Sequence, residues 1–223
     1  ELENNIGLDA IAGFIYEPLV QGAAAMKMHK AEHLEKILKV IKSHGVLAIA
    51  DEVMTGFGKT GSHFASDYIA EKPDIICMLP MAVTSCTQEV YHAFYSDDIA
   101  KGLFHGHTYT ANPLACAAAL AGIELLTSDE IQKNIGKIIQ WHQAFDAEIK
   151  DHPIVAATRQ MGIIYALDLN IVMERYGNVR DKLFKHFMDA GVFLRPLGDI
   201  YFCTLYYHQR SNAKDIRQYK GSP

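Results

Sequence analysis

The fold is decided by the stretch VLAIADEVMTGFGKTG, residues 46–61, in which an apolar run ends in two carboxylates and a glycine-rich segment. A short run that is apolar at every position is typical of a strand buried on both faces of a parallel sheet. Open α/β sheets bind their ligands at the carboxyl ends of such strands. We therefore predict that Asp51 faces a ligand, and a second interpretation, in which Asp51 and Glu52 only cap a loop, stays open.

The residues around this stretch predict a strand-helix-strand crossover. An apolar run over 11–16 is stopped by Glu17-Pro18, and residues 31–44 carry apolar side chains at helical spacing before Gly45. Further strands are expected at 75–78 and 82–87, which together indicate a mostly parallel sheet. Asn112 and Pro113 predict the start of a small-residue helix over 114–126 that packs closely against its neighbours, and 129–150 predicts an amphipathic helix.

The pattern changes near residue 152 and predicts a second, smaller α+β domain. Its expected elements are a strand over 163–169, a helix over 178–190 and a strand over 192–194 that leads into the turn RPLG, residues 195–198. Residues 205–223 are polar and weakly patterned. We predict two domains, residues 1–126 and residues 127–223, with the larger domain first.

Composition restricts the classes of function. The 223 residues are 49% hydrophobic with a net charge of −5, and no long cationic run is available to neutralise nucleic-acid phosphates. No signal peptide or membrane-length apolar stretch is recognisable, and the four cysteines are scattered, as in a reduced cytoplasmic protein. The balance favours small-molecule partners, with no nucleic acid and no membrane. Because the chain does not begin with Met, we expect it to be incomplete.

Several motifs together resemble one family. Residues 51–61 are similar to the signature of the class III, fold-type I, pyridoxal-phosphate-dependent aminotransferases. The further matches, in the family order, are EPLVQG at 17–22, KPDI at 72–75, HGHTYTANPLA at 105–115 and LRPLG at 194–198. The resemblance implies an α/β fold with a mostly parallel sheet in the large domain, a smaller α+β C-terminal domain, and pyridoxal 5'-phosphate as cofactor.

The same resemblance implies roles for individual residues. Asp51 would pair with the pyridine nitrogen of the cofactor, Val53 would pack on the ring, and Arg195 would bind a substrate carboxylate. The turn Gly106-His107-Thr108 would bind the cofactor phosphate of a neighbouring subunit, which implies a homodimer with shared active sites. Outside the family context, Thr108 would be a loop hydroxyl and Arg195 a surface charge.

The choice of substrates rests on weaker resemblances. Residues 79–87, 91–98 and 195–198 most resemble class members that move an amino group from S-adenosylmethionine to a keto acid in biotin synthesis. Members of the ornithine, 4-aminobutyrate or other ω-amino acid types are the nearest rivals. A metal site through His105 and His107 is a third interpretation, disfavoured because no further ligand lies nearby in the sequence.

One essential feature of the family is missing. The Schiff-base lysine belongs in a Ser-Lys-Gly or Ser-Lys-Ala tract after the 75–78 strand, but here that strand runs directly into Leu79-Pro80-Met81. Neither Lys59 nor Lys72 lies where that lysine is expected. The lysine is therefore expected between Met78 and Leu79, and two explanations stay open. Either Met78 and Leu79 are not true neighbours, or a genuine deletion leaves a lysine-less, non-catalytic homologue.

Overall fold

A computed structural model of the chain describes residues 10–79, 82–171, 177–197 and 200–203. In chain order its elements are β1 (Gly13–Tyr16), β2 (Val20–Gln21), β3 (Lys27–Met28), α1 (Ala31–Ser43), β4 (Leu47–Glu52), β5 (Ile75–Met78), β6 (Val83–Cys86), α2 (Gln88–His92), α3 (Pro113–Thr127), α4 (Asp129–Ile149), β7 (Val155–Met161), β8 (Ile164–Leu169), α5 (Asn178–Asp189), β9 (Arg195–Leu197) and β10 (Ile200–Cys203). The described residues form two compact units. The first comprises 10–20, 29–57 and 63–127, and the second comprises 21–28, 58–62 and the residues from 128 onward.

The first unit contains a four-stranded sheet in the order β1-β4-β5-β6. The pairs β1–β4 and β4–β5 are parallel, and β5–β6 is antiparallel. The predicted crossover is confirmed, because α1 connects the parallel strands β1 and β4 and buries Leu34, Leu38 and Ile41. Gly45 ends this region in the left-handed conformation, with φ of 73°, as a glycine after a helix commonly does.

Two predictions for the first unit are corrected by the structure. Strand β4 was expected to comprise the apolar run 46–50, but it continues through Asp51 and Glu52, since both still pair with β5. Helix α3 begins where Asn112 was expected to cap it, with the Asn112 Oδ1 accepting a hydrogen bond from the Leu114 N–H at 2.9 Å. However, α3 buries none of its side chains among the described residues, so the expected close packing is not found there.

The second unit is α+β, as expected. Its sheet has the order β7-β8-β10-β9, with every neighbouring pair antiparallel, and α4 and α5 accompany it. The side chains of Phe145, Tyr165, Leu167 and Leu169 form its buried cluster. Three of these four come from β8, which explains why the apolar pattern at 163–169 was readable as a strand.

Two features of the second unit differ from the prediction. Residues 192–194 are not a strand, and the strand β9 instead occupies Arg195–Leu197, where it pairs with β10. Strand β7 was not predicted, because its sequence VAATRQM has no clear two-residue alternation of apolar and polar side chains. Residues 205–223, as well as Gly198 of the expected turn, lie outside the described residues.

The cysteines Cys77, Cys86 and Cys116 are free thiols. Within the described ranges, no helix is both long enough and apolar enough to span a membrane.

Candidate functional site

At the carboxyl end of β4, two adjacent acidic side chains lie on opposite faces of the strand. Along Leu47–Glu52 the buried positions alternate, with Ala48, Ala50 and Glu52 on the covered face. Asp51 lies on the opposite face and is partly exposed. Because successive strand residues point to opposite sides, Asp51 is available to a ligand while Glu52 is not. The sequence prediction that Asp51 faces a ligand site is consistent with this arrangement and stays a prediction.

Glu52 is the anchor of the loop that follows the strand. Its side chain is 0% exposed, and its two oxygens accept four hydrogen bonds. The Thr55 hydroxyl and the Ala65 N–H bind Oε2 at 2.6 and 3.0 Å, and the Ser66 N–H and hydroxyl bind Oε1, each at 2.7 Å. All four donors are neutral groups. These bonds compensate the loss of hydration that burying a carboxylate entails.

The glycine-rich segment begins with a tight turn that depends on Gly56. The Gly56 N–H donates to the Glu52 carbonyl at 2.8 Å, and a Cβ on Gly56 would lie 2.8 Å from that same oxygen. Phe57 follows in the left-handed region with φ of 60°, and its ring meets that of Phe64 edge-on at 5.6 Å. The first glycine is therefore required by close approach of the backbone.

Asp51 and Val53 are brought together by this turn. The Val53 N–H donates to the Asp51 Oδ1 at 3.1 Å, which fixes the direction of the carboxylate. Val53 is 38% exposed. The site therefore presents an oriented carboxylate beside an accessible apolar group, which suits a cationic ring that carries an apolar face.

A row of strand residues extends this edge across the sheet. Asp51 pairs with Cys77 of β5, and Cys77 pairs with Thr84 of β6. Tyr16 ends β1, and its buried hydroxyl has no hydrogen-bond partner within the described part of the chain. Burial, followed by the charges of Glu52 and Asp74, raises the pKa of the Tyr16 phenol, so this hydroxyl stays neutral and does not act as a base near neutral pH.

The connection from β5 to β6 bears on the missing lysine. Met78 pairs with Val83, and residues 79–82 stand between these two positions in the sequence. None of these four residues is a lysine. Lys72 precedes β5, and its ammonium donates to the Ser66 and Ile69 carbonyls at 2.9 and 2.7 Å. The Lys72 ammonium is thus bound near the amino end of β5, away from the carboxyl end at Met78.

The remaining predicted site residues lie in other segments. Gly106, His107 and Thr108 belong to an exposed loop before α3, in which the Tyr109 N–H donates to the His107 Nδ1 at 3.2 Å. Arg195 begins β9 in the second unit, and its side chain lies outside the described residues. No cluster of three metal-ligating side chains occurs among the residues described, so the structure adds no support for the His105–His107 metal site.

The sequence of the whole chain decides the family. Residues 1–217 match the family model for aminotransferase class III. The chain belongs to the class III aminotransferases. Among its relatives, the adenosylmethionine-8-amino-7-oxononanoate aminotransferase of Synechococcus elongatus is 37% identical over 213 residues, covering 90% of this chain and 49% of the relative. The protein of the same name from Geobacter sulfurreducens is 36% identical over 214 residues, covering 85% of this chain and 45% of the relative.

Solved structures agree with the fold-type I assignment. An amine transaminase from an uncultivated Pseudomonas species, in its PLP-bound internal aldimine form, superposes with a TM-score of 0.86 at 28% identity over 98% of this chain and 54% of that one. The adenosylmethionine-8-amino-7-oxononanoate aminotransferase of Methanocaldococcus jannaschii gives a TM-score of 0.80 at 28% identity over 92% and 53%. The chain thus spans about half the length of the relatives that it matches.

The described residues fit the ring of pyridoxal phosphate, but they supply no amine for its aldehyde. The oriented Asp51 carboxylate suits a protonated ring nitrogen, and Val53 offers an apolar contact for the ring. No amine is available in the 79–82 connection to form a Schiff base. The interpretation in which a carboxylate at this strand end caps a loop agrees with the bonds of Glu52, and the alternation of β4 places Glu52 on the buried face.

Proposed function

We propose that these residues supply the ring-binding edge of an aminotransferase that moves an amino group from S-adenosylmethionine to 8-amino-7-oxononanoate, giving 7,8-diaminononanoate in biotin biosynthesis. Support comes from the family match and from the shared name of the relatives. The observation that carries the proposal is the Asp51 carboxylate, oriented by the Val53 N–H at the carboxyl end of β4. Bound pyridoxal phosphate would supply an electron sink for carbanion chemistry.

In this proposal each site residue has one task. Asp51 holds the proton of the ring nitrogen, and Val53 covers one face of the ring. The turn Gly106-His107-Thr108 binds the phosphate of a neighbouring subunit's cofactor, since exposed N–H and hydroxyl groups suit a phosphate. Arg195 binds a substrate carboxylate through its planar guanidinium.

A homodimer belongs to the same proposal. Helix α3 and the loop before it expose large apolar side chains, among them Phe104 at 79%, Leu114 at 82% and Leu120 at 68%. Large apolar side chains exposed on one helix and on the loop before it suit an interface with a second chain. We place the protein in the cytoplasm, in keeping with the free thiols. Light scattering tests the assembly, and a fully active monomer would contradict it.

The variant Asp51→Asn tests the role of Asp51. We expect an intact fold, together with a loss of activity of about a hundredfold or more, because the amide cannot hold the ring-nitrogen proton as a carboxylate does. Asp97→Asn, at an exposed position, is the matched control and leaves activity unchanged. Circular dichroism checks the fold, and a coupled assay measures amino transfer. Full activity of Asp51→Asn would refute the assigned role.

The amino donor is tested by direct comparison. The protein is assayed with S-adenosylmethionine, ornithine and 4-aminobutyrate, each with its keto acceptor. Selective use of S-adenosylmethionine supports the proposed substrate, whereas selective use of either amino acid supports a rival type of class III enzyme. Activity with none of the three contradicts the proposed reaction.

A lysine-less homologue is the second candidate, favoured by the four-residue connection between Met78 and Val83. Borohydride reduction after incubation with pyridoxal phosphate, followed by peptide mass spectrometry, separates the two. A specific adduct on one lysine together with amino transfer excludes the lysine-less candidate. A chain that binds the cofactor without an adduct and without turnover supports it.

A matched pair of insertions tests the location of the site. One variant carries Ser-Lys-Gly between Met78 and Leu79, and the other carries Ser-Ala-Gly. If the carboxyl edge of β4 and β5 holds the cofactor, only the lysine insertion gains a reducible adduct at the new residue. Equal labelling of the two variants would speak against a cofactor site at this edge.

A further inference from the structure

The orientation of Asp51 depends on the buried side chain of Glu52, which lies on the other face of the same strand. Side chains alternate along β4, so Asp51 and its neighbour Glu52 share only the backbone between them. The Glu52 side chain is fully buried and accepts four hydrogen bonds. Any force that fixes Glu52 therefore fixes the backbone from which the Asp51 carboxylate projects.

The donors to Glu52 come from both ends of one loop. Thr55 lies just after the strand, and Ala65 and Ser66 begin the short 3-10 helix Ala65–Tyr68. The carboxylate thus closes the loop on itself, and the Gly56 N–H completes the turn on the Glu52 carbonyl at 2.8 Å. A loop tied at its base in this way loses most of its freedom there.

The same turn contains the group that orients Asp51. Val53 lies between Glu52 and Thr55, and its N–H is the donor to the Asp51 Oδ1 at 3.1 Å. If the bonds to Glu52 are lost, the turn is free to move and the Val53 N–H with it. We propose that Glu52 is a positioning residue, which holds the turn so that the Val53 N–H directs the Asp51 carboxylate toward a ligand.

This inference rests on the proposed function only for the identity of the ligand, so its test has one arm without a ligand. The principal variant is Glu52→Gln, which keeps the shape of the side chain but turns an NH₂ group toward two of the four donors. Ser66→Ala, which removes one hydroxyl donor and keeps the carboxylate, is the control.

In the ligand-free arm, hydrogen exchange is measured at the Val53 and Gly56 amides by NMR. We expect Glu52→Gln, which removes the charge and sets an NH₂ group against two donors, to accelerate both at least about tenfold, and Ser66→Ala, which loses one bond and keeps the carboxylate, to change them less. Unchanged exchange in a folded Glu52→Gln variant overturns the proposal. If Glu52→Gln does not fold, Thr55→Val, which removes one donor near Val53, is measured in its place with the same criteria.

In the ligand arm, ¹⁵N-labelled pyridoxal phosphate is added to the native protein and the variants. The ring ¹⁵N shift reports whether the ring nitrogen is protonated, which a merely structural role of Glu52 would leave unchanged below the unfolding temperature. We expect a weaker affinity, by about tenfold, and a shift toward the unprotonated value in Glu52→Gln, with a smaller change of both in Ser66→Ala. A native shift in folded Glu52→Gln overturns the proposal. A native protein that does not bind the cofactor contradicts the proposed function instead, and the exchange data then decide the role of Glu52.

Discussion

Replacing Gly162 by alanine adds only one methyl group, but it is expected to lower the free energy of unfolding of the second unit strongly. Gly162 links β7 and β8 with φ of 58°, and a Cβ there would lie 2.2 Å from the Thr60 carbonyl carbon and 2.5 Å from the Lys59 oxygen. These are backbone atoms, so a side-chain rotation cannot relieve the overlap. The segment 58–62 must move away from the hairpin.

The magnitude follows from three contributions. A left-handed conformation costs an L-residue about 1 kcal/mol, and displacing a packed segment costs about 1–3 kcal/mol. Moving Lys59 also breaks the hydrogen bond from the Ile163 N–H to the Lys59 carbonyl, 2.9 Å long, worth about 1 kcal/mol. The expected loss in the free energy of unfolding is therefore about 3–5 kcal/mol.

Two other glycines of the same unit provide matched controls. Gly191 has φ of 78° but nothing within 4 Å of a Cβ, so Gly191→Ala isolates the conformational cost of about 1 kcal/mol. Gly136 lies in α4 with open space around a Cβ, and Gly136→Ala is expected to stabilise by about 0.5–1 kcal/mol.

Urea unfolding followed by tryptophan fluorescence measures all three variants. Trp141, the single tryptophan, lies in α4 and therefore reports on the second unit. The expected order of stability is Gly136→Ala, native, Gly191→Ala and Gly162→Ala. If Gly162→Ala lost no more than Gly191→Ala, the close approach of segment 58–62 to Gly162 would be refuted.

Two further predictions concern charges in the second unit. Burial lowers the pKa of His142 from 6.5 to about 4. Below pH 6.5 the unfolded chain therefore binds a proton at His142 that the folded chain does not bind, and the free energy of unfolding decreases as the pH falls. We expect a loss of about 2 kcal/mol between pH 7 and pH 5, measured by urea unfolding and absent in His142→Gln. Arg159 binds both oxygens of Asp168, at 2.6 and 2.7 Å, through its planar fork. Arg159→Lys should cost about 1–3 kcal/mol, whereas Lys185→Met, at the exposed pair with Asp189, should change stability by less than about 0.5 kcal/mol; equal effects in the same unfolding assay would contradict this ranking.

The parts of the fold that could be predicted share one property, a strong local pattern. Helix α1 was readable because its buried side chains recur at helical spacing and Gly45 ends it. Strands β4 and β5 were readable as short apolar runs. In each case the buried residues are apolar and regularly spaced, so their periodicity in the sequence identifies the face that is buried.

Other parts depend on partners distant in the chain. Strand β7 carries Arg159, whose guanidinium donates hydrogen bonds to Asp168 and to the carbonyls of Ala25 and Met26. No local sequence pattern predicts bonds to residues so far away in the chain. The apolar sequence of α3 predicts burial, but burial needs a covering surface that the described residues do not supply. The position of Asp51 was predictable from a strand end, whereas the hydrogen bonds of Glu52 required the fold of residues 65 and 66.

The β5–β6 hairpin has a consequence for how such enzymes gain or lose their chemistry. Met78 and Val83 form the last register pair before the connection, and loop tips tolerate inserted segments well. Lengthening a loop threefold raises its closure cost by only about 1 kcal/mol. The pairing of these two strands therefore sets no condition on the residues that lie between Met78 and Val83. Chains that share this sheet can differ in whether a lysine lies between these strands without any change in how the strands pair.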